Sequence, residues 1–171
     1  MCQTDRKNGK KKAAVWLKIL FLIYLVFLIK CIVFKIPLSE MDDIIHSWRR
    51  DVVLEGLSSA NFIPFKTIKM YIQYYDLPGL RSFANLFGNI LAFVPLGMML
   101  PLLFRSSEKP GIFIGQVLLF VLGIELFQLF SAFGAFDVDD IILNCMGAFT
   151  GYVIYQLFFV RTGREEEELK D

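Results

Sequence analysis

Eight side chains carry most of the chemistry this sequence offers: Asn85, Asn89, Glu125, Gln128, Asp137, Asp139, Asp140 and Asn144. All sit inside, or at the mouth of, strongly apolar runs, where an unpaired amide or carboxylate is expensive. Asn85 and Asn89 lie one helical turn apart in "NLFGNILAFVPLG". Glu125 and Gln128, three residues apart in "IELFQLF", share one helix face. Asp140 and Asn144, one turn apart in "DVDDIILNCMG", share another. Such a set is polar and rich in acceptors. It suits a cation, a sugar or peptide headgroup, or a protonated carboxyl that donates a hydrogen bond. Glu125 is the most telling member, because a carboxylate within hydrocarbon is usually functional. A desolvated carboxylate with a raised pKa also suits general-base work, which makes Glu125 and Asp140 the catalytic candidates. The competing reading is structural. Amides glue helices together for roughly 0.6–2 kcal/mol, and Asp139 and Asp140 at a helix start can be solvated and favoured by its positive end.

Other chemistries find little support. His46 is the single histidine, and Cys2, Cys31 and Cys145 are scattered with no CxxC pair, so no metal centre, disulfide framework or cofactor is expected. P-loop, zinc and nucleophile-elbow motifs are absent, and nothing marks Ser131 as activated. A net charge of +1 gives no basic field for nucleic acid.

The elements that must position these residues follow from hydropathy. The 171-residue chain is 56% hydrophobic and 15% aromatic, above the roughly 45–50% apolar usage of soluble domains. Four apolar stretches run from about Ala13 to Phe34, Phe83 to Phe104, Gly111 to Phe133 and Val138 to Val160. Each approaches or exceeds the ~20 residues that cross a bilayer as a helix. The expected fold class is therefore all-α, an integral membrane bundle of four transmembrane helices plus an interfacial segment. The first stretch is too long for a signal-peptide core and lacks an A-x-A-like site, so it reads as an uncleaved anchor with Lys18 and Lys30 snorkelling at its ends.

Orientation follows from basic residues in short flanks. Arg6, Lys7 and Lys10 to Lys12 precede the first helix, Arg105 and Lys109 occupy the second link, and Arg161 and Arg164 follow the last helix. These segments are expected in the cytoplasm, with both termini: residues 1–12 as a basic start and 161–171 as a solvated tail. Residues 35–82 are then extracytoplasmic. "SEMDDIIHSWRRDVVLEG" reads as a surface helix with Ser39 as N-cap and Ile44, Ile45, Trp48 and Val52 on one face. Pro64 and Pro78 interrupt regular structure after it. Tyr71, Tyr74 and Tyr75 suit the headgroup layer. The segment reads either as a collar that fixes topology or as a lid.

With this topology the polar residues of three helices converge at one level, the outer leaflet. The expected partners of Asn85 and Asn89 are Glu125, Gln128, Asp140 and Asn144. Pro95 removes a helical hydrogen bond and is expected to kink its helix. Gly147 and Gly151 form a GxxxG suited to close helix contact.

Four ordered stretches carry a resemblance: "NFIPFKTI" from Asn61, "NLFGNILAFVPLGMMLP" from Asn85, "IELFQLF" from Ile124 and "DVDDIILNCMGAFTGY" from Asp137. In order and spacing they resemble the VanZ-like family of bacterial membrane proteins, over roughly Asn61 to Tyr152. The family often carries an arginine shortly before the acidic motif, where this chain has Ala135 in "GAFD". The resemblance implies a multi-pass protein of the bacterial plasma membrane and a link to teicoplanin-type glycopeptide resistance. Three functions stay open. One is a non-catalytic protein binding membrane lipids or a lipid-linked cell-wall intermediate; the others are a carboxylate-based enzyme on such a substrate and a structural or assembly protein. Four helices without a visible inverted repeat disfavour a transporter.

Overall fold

A computed structural model describes residues 2–33, 50–73, 80–131 and 134–160. Among them every regular element is helical: α1 (Cys2–Val33), α2 (Arg50–Ser59), α3 (Lys66–Gln73), α4 (Leu80–Leu103), α5 (Pro110–Ser131) and α6 (Val138–Tyr155). A 3₁₀ turn, Arg105–Glu108, links α4 to α5, and a π-helical turn, Gln156–Val160, extends α6. Four segments are long and apolar enough to cross a membrane: Lys11–Cys31, Leu86–Leu103, Pro110–Ser131 and Val138–Phe159. The expected all-α bundle with four spans is therefore present. Of the expected surface helix, Ser39, Ile44, Ile45 and Trp48 lie outside the described residues, as do Tyr74, Tyr75, Pro78 and the tail 161–171.

Local chemistry explains the boundaries. Lys109 is extended, as a residue before proline tends to be. Pro110 then opens α5, where its missing N–H costs nothing. Asp137 caps α6, its side chain accepting from the Asp139 N–H at 2.9 Å. Helix α4 continues through Pro95 and Pro101. Pro95 cannot donate to the Leu91 carbonyl. At the carbonyl beside it, Ala92, the Tyr24 hydroxyl of α1 donates a 2.7 Å hydrogen bond.

The tightest packing joins α4 and α6, which run parallel. A Cβ on Gly147 would lie 2.0 Å from the Ile90 carbonyl oxygen, and one on Gly151 would lie 1.9 Å from that of Val94. Gly97 reciprocates against the Ala148 carbonyl at 1.8 Å. The GxxxG thus brings two backbones into direct contact, the geometry that replaces hydrophobic drive when both partners sit in lipid. Around this seam Phe93, Leu96, Phe113, Val117, Val121 and Tyr152 form the buried core. Leu91, Leu119, Phe149 and Phe158 point outward, as lipid-facing residues should. Helix α1 is peripheral and buries Leu28 against the bundle.

At the end of the bundle carrying the 3₁₀ turn, polar groups pair with one another. Buried Ser107 donates to Gln116 Oε1 at 2.7 Å. The Tyr152 hydroxyl donates to the Glu108 carbonyl at 2.6 Å and accepts from Gln156 Nε2 at 2.8 Å. Its ring stacks on Phe113 with centroids 4.3 Å apart.

Candidate functional site

The opposite end is built around the start of α6. Asn61 forms a parallel bridge with Asp137: its N–H donates to the Phe136 carbonyl at 2.8 Å, and its own carbonyl accepts from Val138 N–H at 3.0 Å. The Phe62 and Phe136 rings pack beside this bridge, 5.0 Å apart. Asn61 Oδ1 accepts from Ile63 N–H at 3.1 Å, an Asx-type turn that bends the chain before Pro64. Asn61 Nδ2 donates to Asp137 Oδ1 at 2.8 Å, and the Thr67 hydroxyl donates to Asp137 Oδ2 at 2.6 Å. Both oxygens of Asp137 are thus committed, Oδ1 also to its own helix through Asp139 N–H.

Asp139 does something the sequence did not suggest. Where solvation at a helix mouth was one expectation, its side chain is fully buried. The cause is α3, which lies over it. Asp139 Oδ1 accepts from Phe65 N–H, and Oδ2 accepts from Thr67 and Ile68 N–H at 2.8 and 3.1 Å. Three amide donors at the positive end of a helix are what a buried carboxylate needs. They converge because Phe65 adopts a left-handed backbone, φ 64°. That conformation costs about 1–2 kcal/mol for a non-glycine residue. Charge-assisted hydrogen bonds worth about 1.5–3 kcal/mol each offset it. Helix α3 itself buries no side chain, so this polar latch, rather than apolar burial, holds it down.

Beneath the latch the expected residues separate into two levels. Asn89 Nδ2 donates to Asp140 Oδ1 at 2.6 Å, so one predicted pairing is present. Asn89 and Asp140, with Asp137, line a hollow of about 420 Å³ whose wall also includes Asn61, Lys66, Thr67 and Tyr71. Glu125, Gln128 and Asn144 do not line it; each is fully buried. Glu125 Oε2 accepts from Asp137 N–H at 3.0 Å and so braces the cap of α6 from below. Gln128 lies against the loop before α6, its Nε2 2.9 Å from where a Cβ on Gly134 would stand. Asn144 is two turns deeper than the cap, and among the described residues neither its Oδ1 nor its Nδ2 has a hydrogen-bond partner. Asn85 belongs to the first turns of α4, with its side chain outside what is described. No group of three or more His, Cys, Asp or Glu capable of holding a metal occurs among the described residues.

Two members of this wall, Asn61 and Thr67, escaped the chemical reading of the sequence. The available signals were the turn-forming Asn61–Pro64 spacing and the placing of "NFIPFKTI" in a family pattern. Neither indicates that the segment docks on Asp137. Ala135 also lines the hollow, beside Asp137 and Asp140.

The family model VanZ/LLP1 matches residues 21–159. Protein VanZ of Enterococcus faecium is 28% identical over 138 residues, which cover 81% of this chain and 72% of that protein. No solved structure matches. The match takes in all of the spans from α4 onward, the C-terminal part of α1, and the latch and hollow between them: this multi-pass membrane protein belongs to the VanZ/LLP1 family.

Proposed function

We propose that the hollow binds the headgroup of an envelope lipid, or of a lipid-linked cell-wall intermediate, at the external face of the bacterial plasma membrane. Through that ligand the protein would serve a VanZ-type role in glycopeptide resistance. The observation that carries the reading is depth. Asn89 lies in the first turn of the Leu86–Leu103 span and Asp140 in the first turn of the Val138–Phe159 span. A polar cavity of about 420 Å³ between them therefore sits where headgroups meet hydrocarbon. Its volume falls within the roughly 300–1,000 Å³ usual for small-ligand sites. Basic flanks at residues 6–12, 105–109 and 161–164 support placing this end outside.

The test is mass spectrometry of lipid co-purified with the full chain and with Asn89→Leu, paired with glycopeptide susceptibility of cells expressing each. Selective loss of one lipid class together with resistance is expected. A normally expressed Asn89→Leu protein with unchanged lipid and unchanged susceptibility would defeat the proposal. If catalysis were the function, Asp140 is the one of the two catalytic candidates that lines the hollow, whereas Glu125 is fully buried away from it. Accumulation of an unmodified lipid in null cells would favour that chemistry.

A further inference from the structure

Among the described residues, Gln116 is the one polar side chain in the wall of a hollow between α1 and α5. Its backbone stands about 9 Å inside the Pro110–Ser131 span at 1.5 Å per residue. Side chains on a helix lean toward its N-terminus, and Gln116 follows: its Oε1 accepts from Ser107 of the 3₁₀ turn at 2.7 Å. The amide is thereby drawn back to the level where hydrocarbon meets the interface. The same bond fixes which way it faces. Ser107 is fully buried, and this oxygen is the acceptor for its hydroxyl hydrogen. Turning the amide over would strand that hydrogen. Both N–H groups of Gln116 are therefore left over, and among the described residues they have no hydrogen-bond partner.

Apolar space runs from that amide toward the middle of the membrane. The hollow, of about 540 Å³, is walled by Leu119, Phe120, Gly123 and Ile124 of α5 and by Ile29 of α1. From Gln116 to Ile124 the wall runs about 12 Å along the helix, most of the ~15 Å of hydrocarbon in one leaflet. Gly123 keeps it open, since a Cβ there would meet no atom within 4 Å. A second hollow of about 220 Å³ shares Gln116 and Phe120, so the amide borders apolar space in both. Hydrocarbon penalises N–H groups that lack acceptors. The acceptor that a bilayer carries at this level, with an apolar chain attached, is the ester carbonyl of a glycerolipid.

We infer that this groove binds an acyl chain of an ester-linked glycerolipid, from the leaflet on the side of the 3₁₀ turn, whose ester carbonyl accepts from Gln116 Nε2. The chain lies along α5 from Gln116 toward Ile124. The site is separate from the hollow beside α3, at the opposite end of the bundle, and does not rest on the headgroup-binding reading.

Native mass spectrometry of the detergent-solubilised full chain tests this with two probes that share a headgroup. One is dihexadecanoyl phosphatidylglycerol; the other is its analogue with both chains ether-linked, which has no carbonyl. The shared headgroup keeps the α3 end from influencing the comparison. The wild type is expected to retain the ester lipid about threefold to tenfold better, the discrimination expected of one neutral hydrogen bond. Ser107→Ala combined with Gln116→Leu removes the amide and its partner together, so no hydroxyl is stranded, and is expected to abolish the preference. Gly123→Leu, whose added atoms enter the hollow rather than the core, is expected to lower retention of both lipids. Equal retention of the two probes by the wild type would overturn the inference and leave the amide to water. A preference that survives the double change would overturn it as well. So would unchanged retention by Gly123→Leu, and if that chain instead lost self-association, the groove would belong to a second copy.

Discussion

The two ends of this bundle both bury polar groups in apolar surroundings, and they resolve the cost differently. At the 3₁₀ end, Ser107, Gln116, Tyr152, Gln156 and the Glu108 carbonyl form pairs around a stacked aromatic ring, and the hollows that Gln116 lines are otherwise walled by apolar residues. At the α3 end, the latch on Asp137 and Asp139 is equally well paired, but it borders a cavity whose wall carries Asn89, Asp140, Lys66 and Tyr71. Deeper still, Asn144 has no partner for either amide atom among the described residues. A closed network repays burial with stability alone. A network that borders a cavity places polar side chains at the edge of hydrocarbon instead.

The comparison can be broken most severely at the latch. Asp139→Ala strands three amide donors beneath α3 and is expected to cost about 3–5 kcal/mol. Hydrogen exchange at Phe65, Thr67 and Ile68 should accelerate, and lipid retention should fall with it. Unchanged exchange would mean that α3 is held by something other than this carboxylate. At the other end Tyr152→Phe removes two hydrogen bonds and should lower stability by about 1–3 kcal/mol in a thermal melt. Retained lipid should not change, and a change would show that the ends are coupled. Asn144→Leu exchanges an unpartnered buried amide for an apolar side chain of similar size. It should be neutral or raise stability by up to about 1–2 kcal/mol. Strong destabilisation would reveal a partner such as buried water. The smallest effect on stability is expected for Ala135→Arg, within about 0.5 kcal/mol because the site is exposed. Its effect on the hollow is the informative one: a cation beside Asp137 and Asp140 should change the lipid that co-purifies with the full chain, and unchanged lipid by mass spectrometry would show that this position has no bearing on the hollow.

Legibility followed the same division. The four spans were readable because a bilayer demands long apolar helices and leaves little ambiguity. The Asn89–Asp140 pair was readable because topology equalises depth, and depth limits the choice of partners. Asn144 shows the limit of that argument. Lying one turn below Asp140, it reads from the sequence as part of the same cluster, yet at two turns from the cap it is fully buried and does not line the hollow. The latch was not readable. It joins residues about seventy positions apart, across a segment with no strong period, and depends on the left-handed turn at Phe65. Nothing in a phenylalanine advertises that turn, which is far commoner at glycine or asparagine. The burial of Asp139 was hidden for the same reason, since an acidic residue in a first helical turn is ordinarily a surface feature.

The parallel seam between α4 and α6 has a consequence for biogenesis. Two parallel spans cannot be made as neighbours; the chain must first travel back across the bilayer as α5. The close contact of carbonyl against glycine at Ile90, Val94 and Ala148 therefore waits for α6 to be synthesised. Until then the matching face of α4 has only lipid or a chaperone for company. Nascent chains halted before Val138 should be degraded quickly in a pulse-chase experiment, whereas chains halted after Val160 should persist.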